Sequence, residues 1–122
     1  MWLVVYNLGL WGVMNNAGAL QSVGYLEWLC ADDYRRQCEV NLFGLIDVTM
    51  TFLPLVKKTA GRIVNTSSIA GRLSGPIFTP YSVSKFGVEA FTDALRSILC
   101  YMAALSCYDD YDDDNNDDKI KK

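Results

Sequence analysis

The chain has 122 residues, about half of them hydrophobic, which is enough apolar material for one folded domain. It contains no histidine, which excludes Ser-His-Asp and Cys-His catalysis and removes the commonest nitrogen ligand of zinc sites. The net charge of −3 is concentrated at the end of the chain, and the near-neutral remainder excludes a basic face that would bind nucleic acid.

The four cysteines are Cys30, Cys38, Cys100 and Cys107, and no two of them form a C-x-x-C pair. Their apolar helical surroundings predict reduced thiols that act as small hydrophobic side chains, in preference to two disulfides. With neither histidine nor paired cysteines, we expect no metal site. Reduced thiols favour a cytoplasmic protein.

The first apolar segment, LWGVMNNAG (residues 10–18), predicts a buried strand that ends in a sharp loop. The apolar residues from Met1 onward imitate a signal peptide with a cleavage-like AGA at residues 17–19, but no Lys or Arg precedes them. The run is also shorter than the about 20 apolar residues of a membrane helix. We therefore interpret the segment as a strand, and it gives no evidence of membrane attachment.

Residues 32–58 carry apolar side chains at three- and four-residue intervals, which is typical of amphipathic helices. The pattern predicts two successive helices that meet near residues 41–44, with Pro54 kinking or weakening the second. The next segment, GRIVNTSS (residues 61–68), is short, β-branched and opened by glycine. It predicts a second buried strand at residues 62–66, followed by a loop rich in Gly, Pro and Ser.

A third helix is predicted from Thr79, which is a suitable N-cap, and Pro80, which suits the first helical position. Its apolar face comprises Val83, Phe86, Val88, Phe91, Leu95 and Ile98. We expect three of these in the core: Phe86, Phe91 and Leu95. The acidic, low-complexity end of the chain has little to bury, so we predict a folded part at residues 1–105 and a disordered tail at residues 106–122.

The predicted order of strand, helices, strand and helix is one βαβ unit plus a following helix. Such units belong to α/β folds, in which a parallel sheet is covered by helices. The carboxyl ends of the strands are where these folds bind ligands. Ser67 and Ser68 follow the second strand, NNAG (residues 15–18) follows the first, and Asn41 lies at the helix junction, so all of them can face one crevice.

Tyr81 and Lys85 are one turn apart on the third helix, so their side chains lie on the same face. A free phenol ionises only near pH 10 or so, but a neighbouring ammonium favours the phenolate. Such a pair can exchange protons near neutrality in a protein without histidine. The same spacing also arises by chance on amphipathic helices, and its structural context decides between the two.

These segments resemble the short-chain dehydrogenase/reductase family. The matching motifs are NNAG (residues 15–18), VNLFG (residues 40–44), GRIVNTSS (residues 61–68) and YSVSK (residues 81–85), in the family's order and at its spacing. The segments LWGVMNNAG, IDVT, FLPLVKK and SKFGVEAFTDALR look most like the branch of retinol dehydrogenases and 17β-hydroxysteroid dehydrogenases. The resemblance implies a Rossmann-like, doubly wound parallel sheet, of which this chain carries a part.

The resemblance also implies a catalytic set of four residues. Tyr81 would exchange a proton with the substrate hydroxyl, and Lys85 would favour its phenolate. Ser68, rather than Ser67, would orient the substrate oxygen. Asn41 would hold a water molecule in the proton relay behind Lys85.

The implied cofactor is NAD or NADP. Asn16, Ala17 and Gly18 would line its groove beside the adenosine part, and Tyr81 and Lys85 would contact its nicotinamide end. No G-x-x-x-G-x-G sequence occurs in the chain, and the family's proline-glycine substrate loop does not follow the third helix. Without the neighbouring strands that the family fold implies, we expect both predicted strands to have unpaired edges, with apolar faces meeting water.

Two functions remain open. In the first, the chain is an NAD(P)-dependent oxidoreductase that interconverts a small apolar alcohol, retinoid- or steroid-like, and its carbonyl. In the second, it is an inactive family member that binds a full-length relative. The contact would be made by the helices at residues 40–58 and 81–99, and the product would be a homo- or heterodimer. The family analogy adds association with the endoplasmic reticulum as an alternative to a purely cytoplasmic location.

Overall fold

The computed structural model describes residues 2–6 and 9–113, with side chains described for residues 3–5 and 9–101. Its strands are β1 (Trp2–Tyr6), β2 (Gly9–Asn15) and β3 (Arg62–Asn65). Its α-helices are α1 (Ala31–Cys38), α2 (Gly44–Lys58) and α3 (Thr79–Asp113). A π-helical turn, Glu39–Phe43, joins α1 to α2, and 3-10 turns lie at Leu26–Trp28 and Ile69–Gly71.

The sheet has the order β1-β2-β3, with β2 and β3 parallel and connected through α1 and α2. The predicted βαβ unit and the α/β class are therefore confirmed. The prediction that the first strand has an unpaired edge is wrong, because β1 pairs antiparallel along it and makes the sheet mixed. The segment Trp2–Tyr6 combines β-branched and aromatic residues that favour a strand, so it supplies that neighbour from within the chain.

A bulge at Trp11 adapts β2 to its two neighbours. Val4 pairs with Gly12 and Val5 with Leu10, so Trp11 is an extra residue on β2. The extra residue shifts the alternation of the strand, and Leu10 and Val13, three positions apart, are both buried. The bulge therefore lets one short strand present two large side chains to the same core.

The core lies between the sheet and α2. Leu10, Val13 and Val56 are its buried centre, and the partly buried side chains around them are Val48, Phe52 and Ile63. The other face of the same strands is open: Trp11 and Val64 are 47% and 51% exposed. The expectation of an apolar face in water is therefore confirmed for β2 and β3.

The two predicted helices form one continuous run from Ala31 to Lys58. Pro54 lies within α2, and the junction near residues 41–44 is the π-helical turn. By length and composition alone, this run could cross a membrane. Its side chains on the sheet side, among them Val48 and Val56, pack against the core, as in a helix that covers a sheet.

α3 begins at Thr79, as predicted, and packs closely on the π-helical turn. A Cβ atom at Gly87 would come within 2.7 Å of the Leu42 side chain, so a larger residue here would require Leu42 to move. The prediction that Phe86 is core is wrong, because this side chain is exposed. Ser84, Lys85 and Val88 occupy the inward face, and Phe86, two residues from both Ser84 and Val88, lies nearly opposite them around the helix.

The chain divides into two compact units, Met1–Phe91 and Thr92–Lys122. In the second unit, α3 continues to Asp113, and Asp93 accepts hydrogen bonds from the Arg96 guanidinium and the Ser97 hydroxyl. The predicted tail at residues 106–122 overlaps the end of α3, and residues 114–122 lie outside the described residues. The boundary at residue 105 and the disorder of the tail remain predictions.

Cys30, Cys38 and Cys100 are free thiols, of which Cys38 is buried and the other two are exposed. The prediction of reduced thiols therefore agrees with the structure at these three positions, but apolar surroundings were expected for all of them. Cys30 is exposed because it precedes α1 and caps it. The side chain of Cys107 lies outside the described ones.

Candidate active site

The carboxyl ends of β2 and β3 are joined by a buried amide. The Asn15 Nδ2 atom donates to Thr49 Oγ1 on α2 and to Asn65 Oδ1 at the end of β3, both at 2.9 Å. One residue further, the Thr66 N–H donates to the Asn15 carbonyl at 2.9 Å, and its hydroxyl donates to Asn16 Oδ1 at 2.8 Å. The two strand ends therefore hold each other in register where a ligand crevice is expected.

Lys85 reaches this point from α3. Its side chain is buried, with 4% exposure, and its Nζ atom donates to the Thr66 carbonyl at 2.9 Å. The same nitrogen lies 5.8 Å from the centre of the Tyr81 ring, and a Cβ atom at Gly18 would be 3.6 Å from it. The ammonium is thus held between the ends of β2 and β3 and beside the tyrosine one turn earlier.

Asn41 lies within the π-helical turn and is fully buried, with 0% exposure. Its Oδ1 atom accepts the Ala19 N–H at 2.8 Å, and its Nδ2 atom donates to the Ala19 carbonyl at 2.9 Å and to Ser84 Oγ at 3.1 Å. The amide therefore binds both backbone groups of one loop residue. Single π-turns inside helices are frequent at functional sites, because the extra residue re-aims nearby side chains.

Ser84 connects Asn41 to the tyrosine. It is fully buried, accepts the Asn41 amide, and donates its own hydroxyl to the Tyr81 carbonyl at 2.7 Å. Sequence reasoning missed this residue. Its position three residues after Tyr81, which places the two residues on the same helix face, was the available signal.

The two serines after β3 differ in their surroundings. Ser68 Oγ accepts the Ala70 N–H at 3.1 Å and caps the 3-10 turn Ile69–Gly71, which leaves its own O–H to donate. Ser67 Oγ is buried and has no hydrogen-bond partner among the side chains that the structure describes. A Cβ atom at Gly71 would lie 2.8 Å from Ser67 Oγ, so glycine is needed for this close packing.

The structure brings most of the predicted site residues together. Lys85 and Asn41 both lie beside Gly18, and Asn16 is linked to Lys85 through Thr66. Ser68 is two residues after the carbonyl that holds Lys85. Ala17, in the same loop, is exposed.

Two groups near the site have shifted pKa values. The backbone N–H and thiol of Cys30, with the Ser22 hydroxyl, lower the pKa of Asp33 from 3.8 to about 2. Burial raises the pKa of the Cys38 thiol. Cys38 is therefore held as the protonated thiol, which agrees with its interpretation as an unreactive helix residue.

The arrangement can support proton transfer and hydrogen bonding to a hydroxylated ligand. A lysine ammonium has three N–H donors, and Thr66 takes one of them. Gly18 lies beside the ammonium, where a Cβ atom would be 3.6 Å from Lys85 Nζ. Tyr81 is half-buried one turn before Lys85, and its phenol has an O–H that can donate a hydrogen bond.

Comparison with known proteins gives the family. The sequence model described as short chain dehydrogenase matches residues 4–102, which is most of the chain. The chain therefore belongs to the short-chain dehydrogenase family.

Similar proteins point to one branch of that family. 17-beta-hydroxysteroid dehydrogenase type 6 of Bos taurus is 56% identical over 93 residues, which are 75% of this chain and 28% of that protein. Retinol dehydrogenase 16 of Mus musculus is 50% identical over 98 residues, 80% of this chain and 30% of that protein. The predicted resemblance to the retinol and steroid dehydrogenases is confirmed, and the chain spans less than a third of the length of these two relatives.

Solved structures show the same fold. A short-chain dehydrogenase/reductase from Burkholderia phymatum in complex with NAD has a TM-score of 0.66 and 34% identity, over 71% of this chain and 31% of that one. A short-chain dehydrogenase from Shigella flexneri complexed with NADP has a TM-score of 0.67 and 31% identity, over 71% and 37% respectively. The fold of this chain is therefore part of one that binds either nicotinamide cofactor.

Proposed function

We propose that the chain provides the catalytic part of an NAD(P)-dependent oxidoreductase that interconverts an alcohol and its carbonyl. The observation that carries this proposal is the buried Lys85 ammonium, which is fixed to the Thr66 carbonyl beside Tyr81 at the joined ends of β2 and β3. The names of the relatives, a retinol dehydrogenase and a 17-beta-hydroxysteroid dehydrogenase, support a retinoid- or steroid-like alcohol as substrate.

In the proposed mechanism, Tyr81 accepts the hydroxyl proton of the alcohol as the carbonyl forms, and returns it in the reverse direction. Lys85 places its positive charge beside Tyr81, with Nζ 5.8 Å from the centre of the ring. Ser68 donates its remaining O–H to the substrate oxygen, which holds that oxygen for proton transfer. Asn41, through Ser84, fixes the first turn of α3, and therefore the backbone from which Tyr81 projects.

The residues present fit the nicotinamide end of the cofactor. Lys85 has N–H donors for a ribose hydroxyl, and Gly18 lies next to its ammonium. Asn16 and Ala17 continue the same loop toward solvent and would line the groove. When bound, the nicotinamide would accept or supply the hydride that accompanies the proton transfer.

Activity with NAD or NADP tests the proposal. Incubation with all-trans-retinol or a 17β-hydroxysteroid should give reduced nicotinamide, measured by its absorbance. Tyr81→Phe should lower the rate by a factor of about 100 or more, the usual contribution of a general acid–base group. Tyr25→Phe, at an exposed tyrosine, is the matched control and should leave the rate unchanged. Equal rates for Tyr81→Phe and the unsubstituted chain would refute the role of Tyr81.

A second candidate function rests on a different observation. α2 and the first turns of α3 carry exposed apolar side chains away from the sheet core: Met50, Leu55, Val83 and Phe86. Such faces are typical of surfaces that another protein covers. They support the alternative in which the chain is inactive and binds a full-length relative through residues 40–58 and 81–99.

This alternative is tested by mixing the chain with a full-length retinol dehydrogenase of the same branch. A complex on gel filtration, weakened by Met50→Glu together with Phe86→Glu, would support it. Separate elution of the two proteins would exclude it. Cys30, Cys38 and Cys100 are free thiols, which supports our proposal of a reducing, cytoplasm-facing location for either function.

A further inference from the structure

Gln37 is a buried polar residue to which neither the sequence nor the proposed mechanism assigns a role. Its side chain has 0% exposure and is one of the largest fully buried side chains in the part of the chain that the structure describes. Its Nε2 atom donates to the Ala19 carbonyl at 2.6 Å, and its Oε1 atom accepts the Gln21 N–H at 2.9 Å. Because one neighbour can only accept and the other can only donate, the orientation of the amide is determined.

Gln37 and Asn41 hold the same loop from consecutive helical turns. Both donate to the Ala19 carbonyl, and Asn41 also accepts the Ala19 N–H. Along this loop, the hydrogen bonds of Asn41 go to Ala19, whereas Gln37 also binds Gln21. The two amides therefore bind a three-residue stretch of backbone at both of its ends.

This stretch directly follows the part of the loop that covers the lysine. A Cβ atom at Gly18 would lie 3.6 Å from both Lys85 Nζ and Asn41 Oδ1. A loop shift of about 1 Å would change the space beside the ammonium, which is enough to affect ligand positioning. A mobile loop at this place would have to be ordered whenever a ligand binds, and that ordering reduces affinity.

We propose that Gln37 is a positioning residue. By binding Ala19 and Gln21, it holds the loop that carries Gly18 against Lys85, and so preorganises the cofactor end of the site. This inference rests on the proposed function for its consequence in cofactor binding. The hydrogen bonds themselves can be tested without any cofactor.

Backbone amide exchange, measured by NMR on the full chain, is the first test. In Gln37→Leu, the Gln21 amide should exchange at least about tenfold faster, since its acceptor is gone. The Ala19 amide should change much less, because Asn41 Oδ1 still accepts it. Unchanged exchange at Gln21 would overturn the proposal.

Gln37→Glu gives a readout that a merely structural role would not produce. When protonated, the carboxyl group introduced at position 37 can donate to the Ala19 carbonyl and accept the Gln21 N–H, as glutamine does. The ionised form faces that carbonyl without a donor, and burial disfavours it, so the pKa of the new carboxyl should be raised. Affinity for NADH should therefore be close to that of the unsubstituted chain at low pH, and fall about tenfold as the pH rises through that pKa.

Ala31→Glu adds the same charge at an exposed position of α1, the helix that carries Gln37, and is the control. It should show no such dependence on pH. A flat profile for Gln37→Glu, with normal binding by the unsubstituted chain, would overturn the positioning role. If the unsubstituted chain does not bind NADH at all, the proposed function fails, and the exchange rates of Gln21 and Ala19 alone decide whether Gln37 holds the loop.

Discussion

A cluster of buried polar side chains and an exposed apolar face both lie on β2 and β3. At the carboxyl ends of β2 and β3, the buried polar side chains of Asn15, Asn41 and Lys85 all have hydrogen-bond partners. On the open face of these strands, Trp11 and Val64 are about half exposed. These three polar side chains are satisfied by residues of this chain, whereas the apolar face stays exposed.

The difference shows that the site depends little on what covers the open face. Each buried donor or acceptor that loses its partner costs free energy, so the polar cluster keeps its geometry through its own bonds. An exposed apolar face only loses the stabilisation that burial would add. We therefore expect substitutions in the polar cluster to have larger effects than substitutions on the open face.

The largest effect on stability should come from Asn41→Ala. This change removes three hydrogen bonds at a fully buried position and leaves the Ser84 hydroxyl with one partner fewer. We expect a loss of about 3 kcal/mol in the free energy of unfolding, measured by urea denaturation. Thr51→Ala, on the exposed side of α2, is the control and should change stability by less than about 0.5 kcal/mol. Similar values for the two variants would contradict the comparison.

Val13 and Val64 compare the two faces of the sheet directly. Val13 is 2% exposed in the core, and Val64, on the adjacent strand, points to the open face. Val13→Ala should cost about 2 kcal/mol, because it removes buried methyl groups and leaves a cavity. Val64→Ala should cost less than about 1 kcal/mol. The same urea series measures both, and a larger loss for Val64→Ala would show that the open face is covered in solution.

The carboxylate of Asp33 should make a pH-dependent contribution to stability, of intermediate size. The Cys30 N–H, the Cys30 thiol and Ser22 lower its pKa to about 2. Its contribution to stability is therefore present above the unfolded-state value of 3.8 and is lost as the pH falls through about 2. Asp33→Asn should reduce the melting temperature at neutral pH and flatten its acid dependence in this window. Asp32→Asn removes the same charge from an exposed ion pair and should retain that dependence.

Trp11→Thr should have the smallest effect on stability. Threonine suits a strand, and the indole is already 47% exposed, so the free energy of unfolding should change by less than about 0.5 kcal/mol. Self-association, followed by light scattering against concentration, should decrease because an exposed aromatic side chain is removed. Stronger self-association in this variant would mean that the chain does not self-associate through the open face.

Local patterns were sufficient to predict the βαβ unit and the placement of Tyr81 and Lys85. Apolar runs bounded by turn residues indicate β2 and β3, and a spacing of four residues determines a shared helix face. The pairing of β1 with β2 could not be predicted in this way, because it depends on which sheet edge is vacant. The bulge at Trp11 depends on the register of that pairing.

The contributions of Gln37 and Ser84 also could not be predicted from the sequence pattern. Glutamine in a helix is usually solvated, and nothing in its neighbours indicates that a loop from residue 19 to 21 will pack over it. Phe86 was misassigned for the related reason that helical periodicity gives a face but not its partner. The inward face of α3 is set by Ser84, Lys85 and Val88, two of which are polar.

Titration of the chain with NADH and NADPH, followed by the fluorescence of the reduced nicotinamide, tests the central claim most directly. The claim is that the buried Lys85 ammonium beside Tyr81 forms the nicotinamide end of a cofactor site. We expect saturable binding of at least one cofactor, lost in Lys85→Met and retained in Lys58→Met, at an exposed lysine of α2. No change in fluorescence at millimolar cofactor, or equal binding by the two variants, would contradict the claim.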